Sequence, residues 1–383
     1  MSGLRRRWFR LLSHLLLVSP AVFAAACRHG SAHRENSALF VPHVVDLDVR
    51  GVGAPVYRIP ALAVTRRGTL LAAYDARPTM ADVPSNIALV LRRSTDGGRS
   101  WGPRETVRRD TVPYGYGDPS FVVDHHTGRV FLFHVASIRQ GFFGSSTGNR
   151  DDDPNILHVD VSASDDEGQT WQHRRLTSQV KDPTWGGLFG SSGAGVQLAV
   201  GKHRGRLLQP VVIKRAEGVY AASLISDDHG ATWRMGALVG PGMDEHELVE
   251  LPDGTVRLDS RARPFRLVAD SHDGGVTYST PRPDSLRVDP ANNAGLLAIG
   301  QGARRALLFS NTGDRAERQR LTVRLSCDNG RTWPFSKVMV PGPSAYSTMA
   351  LLDEHTVGML YERGSYDAIS FVRFPANWLG TCR

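Results

Sequence analysis

The chain is short of cysteine, with three in 383 residues: Cys27, Cys327 and Cys382. That scarcity excludes a disulfide-dense scaffold and the repeated Cys spacings of a zinc site. Long apolar runs are also missing. The one candidate, Leu11 to Ala26, contains His14 and Pro20 and is too short for a comfortable membrane span. No phosphate loop or dinucleotide fingerprint occurs, so nucleotide chemistry is excluded and no cofactor or metal is expected. Basic charge is not clustered either. The net charge of +8 falls to +4 without Arg5, Arg6, Arg7 and Arg10, and the absence of a basic stripe argues against nucleic acid as a partner.

Glycine and proline are abundant, 39 and 22, and spread along the chain, which points to many tight turns between short strands. At the N-terminus four arginines precede the apolar run, which ends in Ala24-Ala25-Ala26. This order reads as a secretory signal over residues 1–26. Arg6-Arg7-Trp8-Phe9 also fits a twin-arginine signal. Cys27 follows directly, as the lipidated first residue of a bacterial lipoprotein does, although Ala24 stands where such signals usually have Leu. Lipid anchoring and plain secretion both stay open. Either places the mature chain outside the cytoplasm with no transmembrane span, and Cys327 and Cys382 are there free to pair or to remain thiols.

A repeat organises the rest. The pattern Ser-x-Asp-x-Gly-x-Thr/Ser-Trp/Tyr begins at Ser94, Ser164, Ser226, Ser271 and Ser326. Its aspartates, Asp96, Asp166, Asp228, Asp273 and Asp328, are 70, 62, 45 and 55 residues apart. Each interval suits one four-stranded propeller blade with variable loops. The Asp accepts backbone N–H groups of its own turn, Gly tolerates positive φ, and the aromatic plugs the turn into the blade. A calcium loop would need further ligands and a distal Glu, which these copies lack. The reading is therefore an all-β, six-bladed propeller over residues 38–383 with five Asp-box turns.

These boxes, together with Tyr57-Arg58-Ile59-Pro60, resemble the bacterial exo-α-sialidases (neuraminidases) over essentially the whole mature chain. The resemblance implies hydrolysis of terminal α-linked sialic acid from glycoconjugates, with retention, by a monomer. Sialic acid carries a carboxylate on its anomeric carbon, and arginine's planar fork suits such an anion. By motif, the three arginines that bind it are Arg58, Arg261 and Arg318, with Arg315, Arg320 and Arg324 as neighbours competing for the third place. A carboxylate nucleophile would repel that anion, and sialidases use Tyr instead. The matching residue is Tyr346, activated by Glu245, with Glu250 as runner-up; Glu247 and His246 read as incidental. Asp82 resembles the general acid, Arg77 an arginine touching the sugar's oxygen substituents, Asp118 an acid that either contacts the substrate or supports the residues that do, and Glu362 the carboxylate that orients Arg58. Variants that transfer sialic acid or release an anhydro product would keep the same core. A non-catalytic binder would lose Asp82, Tyr346 or Glu245. Asp151-Asp152-Asp153, His125-His126 and His229 read as solvated turn residues rather than metal ligands.

Overall fold

The computed structural model describes residues 42–300 and 305–382. The signal segment 1–26 and Cys27 lie outside these residues, as do positions 38–41 and 383 of the expected propeller domain. Helix among the described residues is confined to Thr177–Val180 and a 3-10 turn at Gly201–His203; the rest is strand and turn. No helix among them is long and apolar enough to cross a membrane.

The strands form a propeller-like arrangement of four separate four- or five-stranded blades and one continuous seven-stranded sheet. Strands such as Val130–Ser137 (VFLFHVAS) are buried along their whole length. Each sheet is covered on both faces by its neighbours, which is why these strands read as unbroken apolar runs rather than alternating ones. Shared cores show the order of the ring. Leu71 and Leu91 of the first blade pack with Phe121 and Leu132 of the second, whose Phe131 and Val161 pack with Leu207 and Leu224 of the third. Leu208 of the third meets Leu248 and Leu258 of the fourth, and Val249 of the fourth meets Leu307 and Phe309 of the long sheet. The circle closes where Tyr57 and Leu62 of the first blade pack against Leu360 and Phe371.

The expectation of six separate blades is corrected here, because one 19-residue strand, Phe335–Asp353, joins two sets of strands. Its first part pairs with Gln319–Ser326 and its second with Thr356–Arg363. The outermost strand of the long sheet is Val44–Val49, paired antiparallel with Ala368–Pro375, so the two ends of the described chain share one sheet. A disulfide between Cys327 and Cys382 fastens the C-terminal residues to the turn after Gln319–Ser326.

The five repeats have one hydrogen-bond scheme. In the copy from Ser164, Gly168 N donates to Ser164 Oγ (2.9 Å), Ser164 Oγ to Asp166 Oδ1 (2.7 Å), Thr170 N to Asp166 Oδ1 (2.9 Å) and Thr170 Oγ1 to Asp166 Oδ2 (2.6 Å). The same bonds recur around Asp96, Asp228, Asp273 and Asp328. The aromatic that follows reaches an adjacent sheet: Trp101 lies edge-on to Phe371 at 5.0 Å and Trp233 to Phe133 at 4.9 Å. All five turns follow the third strand of a set. In an up-and-down sheet this puts them at the end opposite the starts of the inner strands, where the residues described next are found.

Candidate active site

Backbone irregularities aim the side chains. The pairing of Val56–Val64 with its neighbour slips between Arg58 and Ala61, where Ile59 has φ 60. The strand Gly115–Val123 slips between Gly117 and Ser120, where Asp118 has φ 55. A third slip, between Ser344 and Ser347, holds Tyr346. Such bulges bend a strand and turn a side chain out of the ladder. All three open into one cleft of about 500 Å³, which Arg58, Asp82, Asp118, Glu245, Arg261, Arg318 and Tyr346 line together. These residues come from four of the five sheets and the loops at their ends.

At the floor, the Tyr346 hydroxyl donates to Glu245 Oε2 and accepts from Arg261 Nη1. Arg261 Nη1 also meets Glu245 Oε2, and its Nε lies 2.9 Å from Asp244 Oδ2. Ser192 Oγ donates to the other Glu245 oxygen at 3.1 Å. The guanidinium carbons of Arg58, Arg318 and Arg261 stand 5.4, 5.2 and 6.0 Å from the centre of the Tyr346 ring. Burial raises the Tyr346 phenol above its ordinary range, Arg261 opposes this, Glu245 raises it further, and Arg318 and Arg58 pull it down. The buried ring is thus a phenol with a base in contact and three cations around it.

Glu362 is buried beneath. Its Oε1 accepts from Arg58 Nε (3.1 Å) and Ile59 N (2.9 Å), and its Oε2 from Tyr346 N (3.1 Å). One carboxylate therefore ties the first arginine to the backbone of the tyrosine. Asp82, also in the cleft lining, is largely exposed, with Arg77 Nη1 donating to its Oδ1 at 2.6 Å. Asp118 is half-buried, and burial with Asp75, Asp82 and Glu245 nearby raises its carboxyl well above the ordinary range against the pull of Arg77.

Arg77 stands apart from the other residues of the expected set. Its side chain is buried behind the cleft wall, held by Asp75 Oδ2 (2.9 and 2.7 Å) and by Asp82, and it is absent from the cleft lining. In this structure its guanidinium bridges Asp75 and Asp82. Among the competing residues, Glu250 is engaged by Ala199 N and Val200 N, away from the cleft. Glu247 is buried, and His246 lies between the Asp244 and Ala222 carbonyls at 3.0 and 3.2 Å. Arg315 covers the Phe265 ring, and Arg324 donates to Asn311 Oδ1. Of the four competing arginines, only Arg318 lines the cleft. Asp75 was missed in the sequence. It is fully buried, and its carboxyl is pushed up to about 6 by burial against the pull of Arg77. The available signal was spacing: Asp75 and Arg77 share one face of a strand.

Residues 68–360 match the model of the BNR repeat-like domain family. The chain belongs to this family. Among its relatives is a sialidase of Micromonospora viridifaciens, 45% identical over 98% of this chain and 61% of that protein. The chain spans 61–63% of the length of this relative and of the sialidases of Bacteroides fragilis and Paraclostridium sordellii. Among solved structures, the Hadza microbial sialidase Hz136 superposes with TM-score 0.79 at 29% identity, over 85% of this chain and 67% of that one. The intramolecular trans-sialidase of Ruminococcus gnavus, at 20% identity, has the same fold with TM-score 0.77 over 89% of this chain and 98% of that one.

Proposed function

We propose that this BNR-repeat protein is an exo-α-sialidase that removes terminal sialic acid from glycoproteins, glycolipids and oligosaccharides with retention, through a covalent bond to Tyr346. One observation carries the reading: the Tyr346 hydroxyl lies between Glu245 and Arg261, inside a ring of three guanidinium groups. The arginines take the substrate carboxylate. As the Tyr346 oxygen bonds to the anomeric carbon, Glu245 removes the phenolic proton, the glycosidic C–O bond breaks, and Asp82 protonates the departing oxygen. In the second half Asp82 takes a proton from water, the water oxygen replaces Tyr346 on the anomeric carbon, and Glu245 returns the phenolic proton. Exposure of Asp82 at the cleft mouth suits a group that meets first a leaving alcohol and then solvent.

Export through residues 1–26, with or without lipid on Cys27, fits the Cys327–Cys382 disulfide, which needs an oxidising compartment. Purified protein should release the fluorophore from an aryl α-sialoside, and Tyr346→Phe should lower turnover by roughly a thousandfold or more. Absence of release by folded wild-type protein would refute the hydrolase.

A further inference from the structure

We infer that Tyr366, outside the residue set assigned so far, is a positioning residue that fixes Arg58 and Arg318 for carboxylate recognition; the inference rests on the function proposed above. Tyr366 lies in the turn between Thr356–Arg363 and Ala368–Pro375, where Arg363 pairs with Ala368 across four intervening residues. Its φ is 65, in the left-handed region. Gly or Asn closes such a position at least cost, whereas a bulky residue is disfavoured by roughly 1 kcal/mol. The turn itself therefore gives no reason for a tyrosine.

The site gives one. The Tyr366 ring centre is 4.7 Å from the Arg58 guanidinium carbon, and its hydroxyl accepts from Arg318 Nη1 at 3.2 Å. Ile59, Ala345 and Tyr346 pack in the same apolar group. Glu362 holds the Nε edge of Arg58 while Tyr366 covers a planar face, which leaves the Nη1 side for an incoming anion. Arg318 is pinned at both ends, by Tyr366 and by the Ala291 carbonyl at 3.1 Å. Without Tyr366 it has somewhere to go. Arg318 lines both the cleft and a neighbouring hollow of about 470 Å³, whose wall includes Tyr366 and Arg263.

The test measures binding of 2,3-unsaturated sialic acid and of its methyl ester to the whole protein, wild type against Tyr366→Ala and Tyr366→Phe. The wild type should prefer the acid. Tyr366→Ala should weaken the acid about tenfold or more and leave the ester unchanged, because a cation–π contact and a charge-assisted hydrogen bond are both lost. Tyr366→Phe, which keeps the ring, should fall between. If Tyr366→Ala does not fold, a selective loss of acid binding in Tyr366→Phe carries the same information. Equal weakening of acid and ester, or no change in either, overturns the positioning role alone. A wild type that binds acid and ester equally removes the anion site, and the proposed function falls together with this inference.

Discussion

On the proposed mechanism, Tyr346 is a poor nucleophile by burial and a serviceable one by company. Its environment opposes ionisation at rest, Glu245 is in contact with its hydroxyl, and in that mechanism the proton passes only as the bond to carbon forms. Arg58 plays two parts, and its removal should show both. Arg58→Ala should weaken the unsaturated analogue by about 3 kcal/mol, as expected for losing a charge-assisted contact. It should also lower thermal stability, since Glu362 is left buried and short of its cation, a loss of about 3 kcal/mol where such pairs are broken. Calorimetric titration and a melting curve read the two effects separately. At this scale the residues that meet in the cleft were legible through motif resemblance rather than from residue type alone. Burial was not. The burial of Arg77 between Asp75 and Asp82 is not written in its local sequence, and nothing local in Gly364-Ser365-Tyr366 announces a partner some 300 residues earlier in the chain.

Among the elements, the repeat turns are pH-sensitive in a defined direction. Hydrogen bonds to Asp166 and Asp273 outweigh burial and lower their carboxyls to about 2. A lowered carboxyl contributes stability above its unfolded value of about 4 and loses it as pH falls toward 2. Both groups are near the surface, so solvent screening keeps the effect small. Asp166→Ala should cost roughly 1 kcal/mol in urea unfolding at neutral pH and leave hydrolysis intact, since it removes bonds to Thr170 and Gln169 far from the cleft. The histidines His134 and His246 act earlier in an acid titration. Burial holds both neutral and lowers them to about 4. The unfolded chain takes up their protons first, so stability should decline as pH falls from about 6.5 toward 4, a window distinct from that of the aspartates. The repeat turns were legible because their bonds are local. The long strand was not, since Pro341-Gly342-Pro343 reads as a break. The strand continues through it with irregular pairing, tolerating prolines that donate no N–H.

For the whole molecule, closure depends on its ends. Val44–Val49 completes the last sheet, and the disulfide closes a loop with a sequence separation of 55. Cys382→Ser should lower stability by about 4 kcal/mol on the chain-entropy account, and reduction of the wild type should have the same effect on its unfolding midpoint. The ring brings Arg58, Glu245, Arg318 and Tyr346 to one cleft from positions as much as 288 apart in sequence, a convergence that repeat spacing predicts in outline and only the closed circle delivers. The central claim is the covalent role of Tyr346. A sialyl donor fluorinated beside the anomeric carbon, with a good leaving group, slows the second half of the reaction. Peptide mass spectrometry after brief incubation should find the fluorosialyl mass on Tyr346 and lose it when the label is allowed to hydrolyse. Turnover of an ordinary aryl sialoside with the label on another residue, or with no label and an inverted product, would contradict the account.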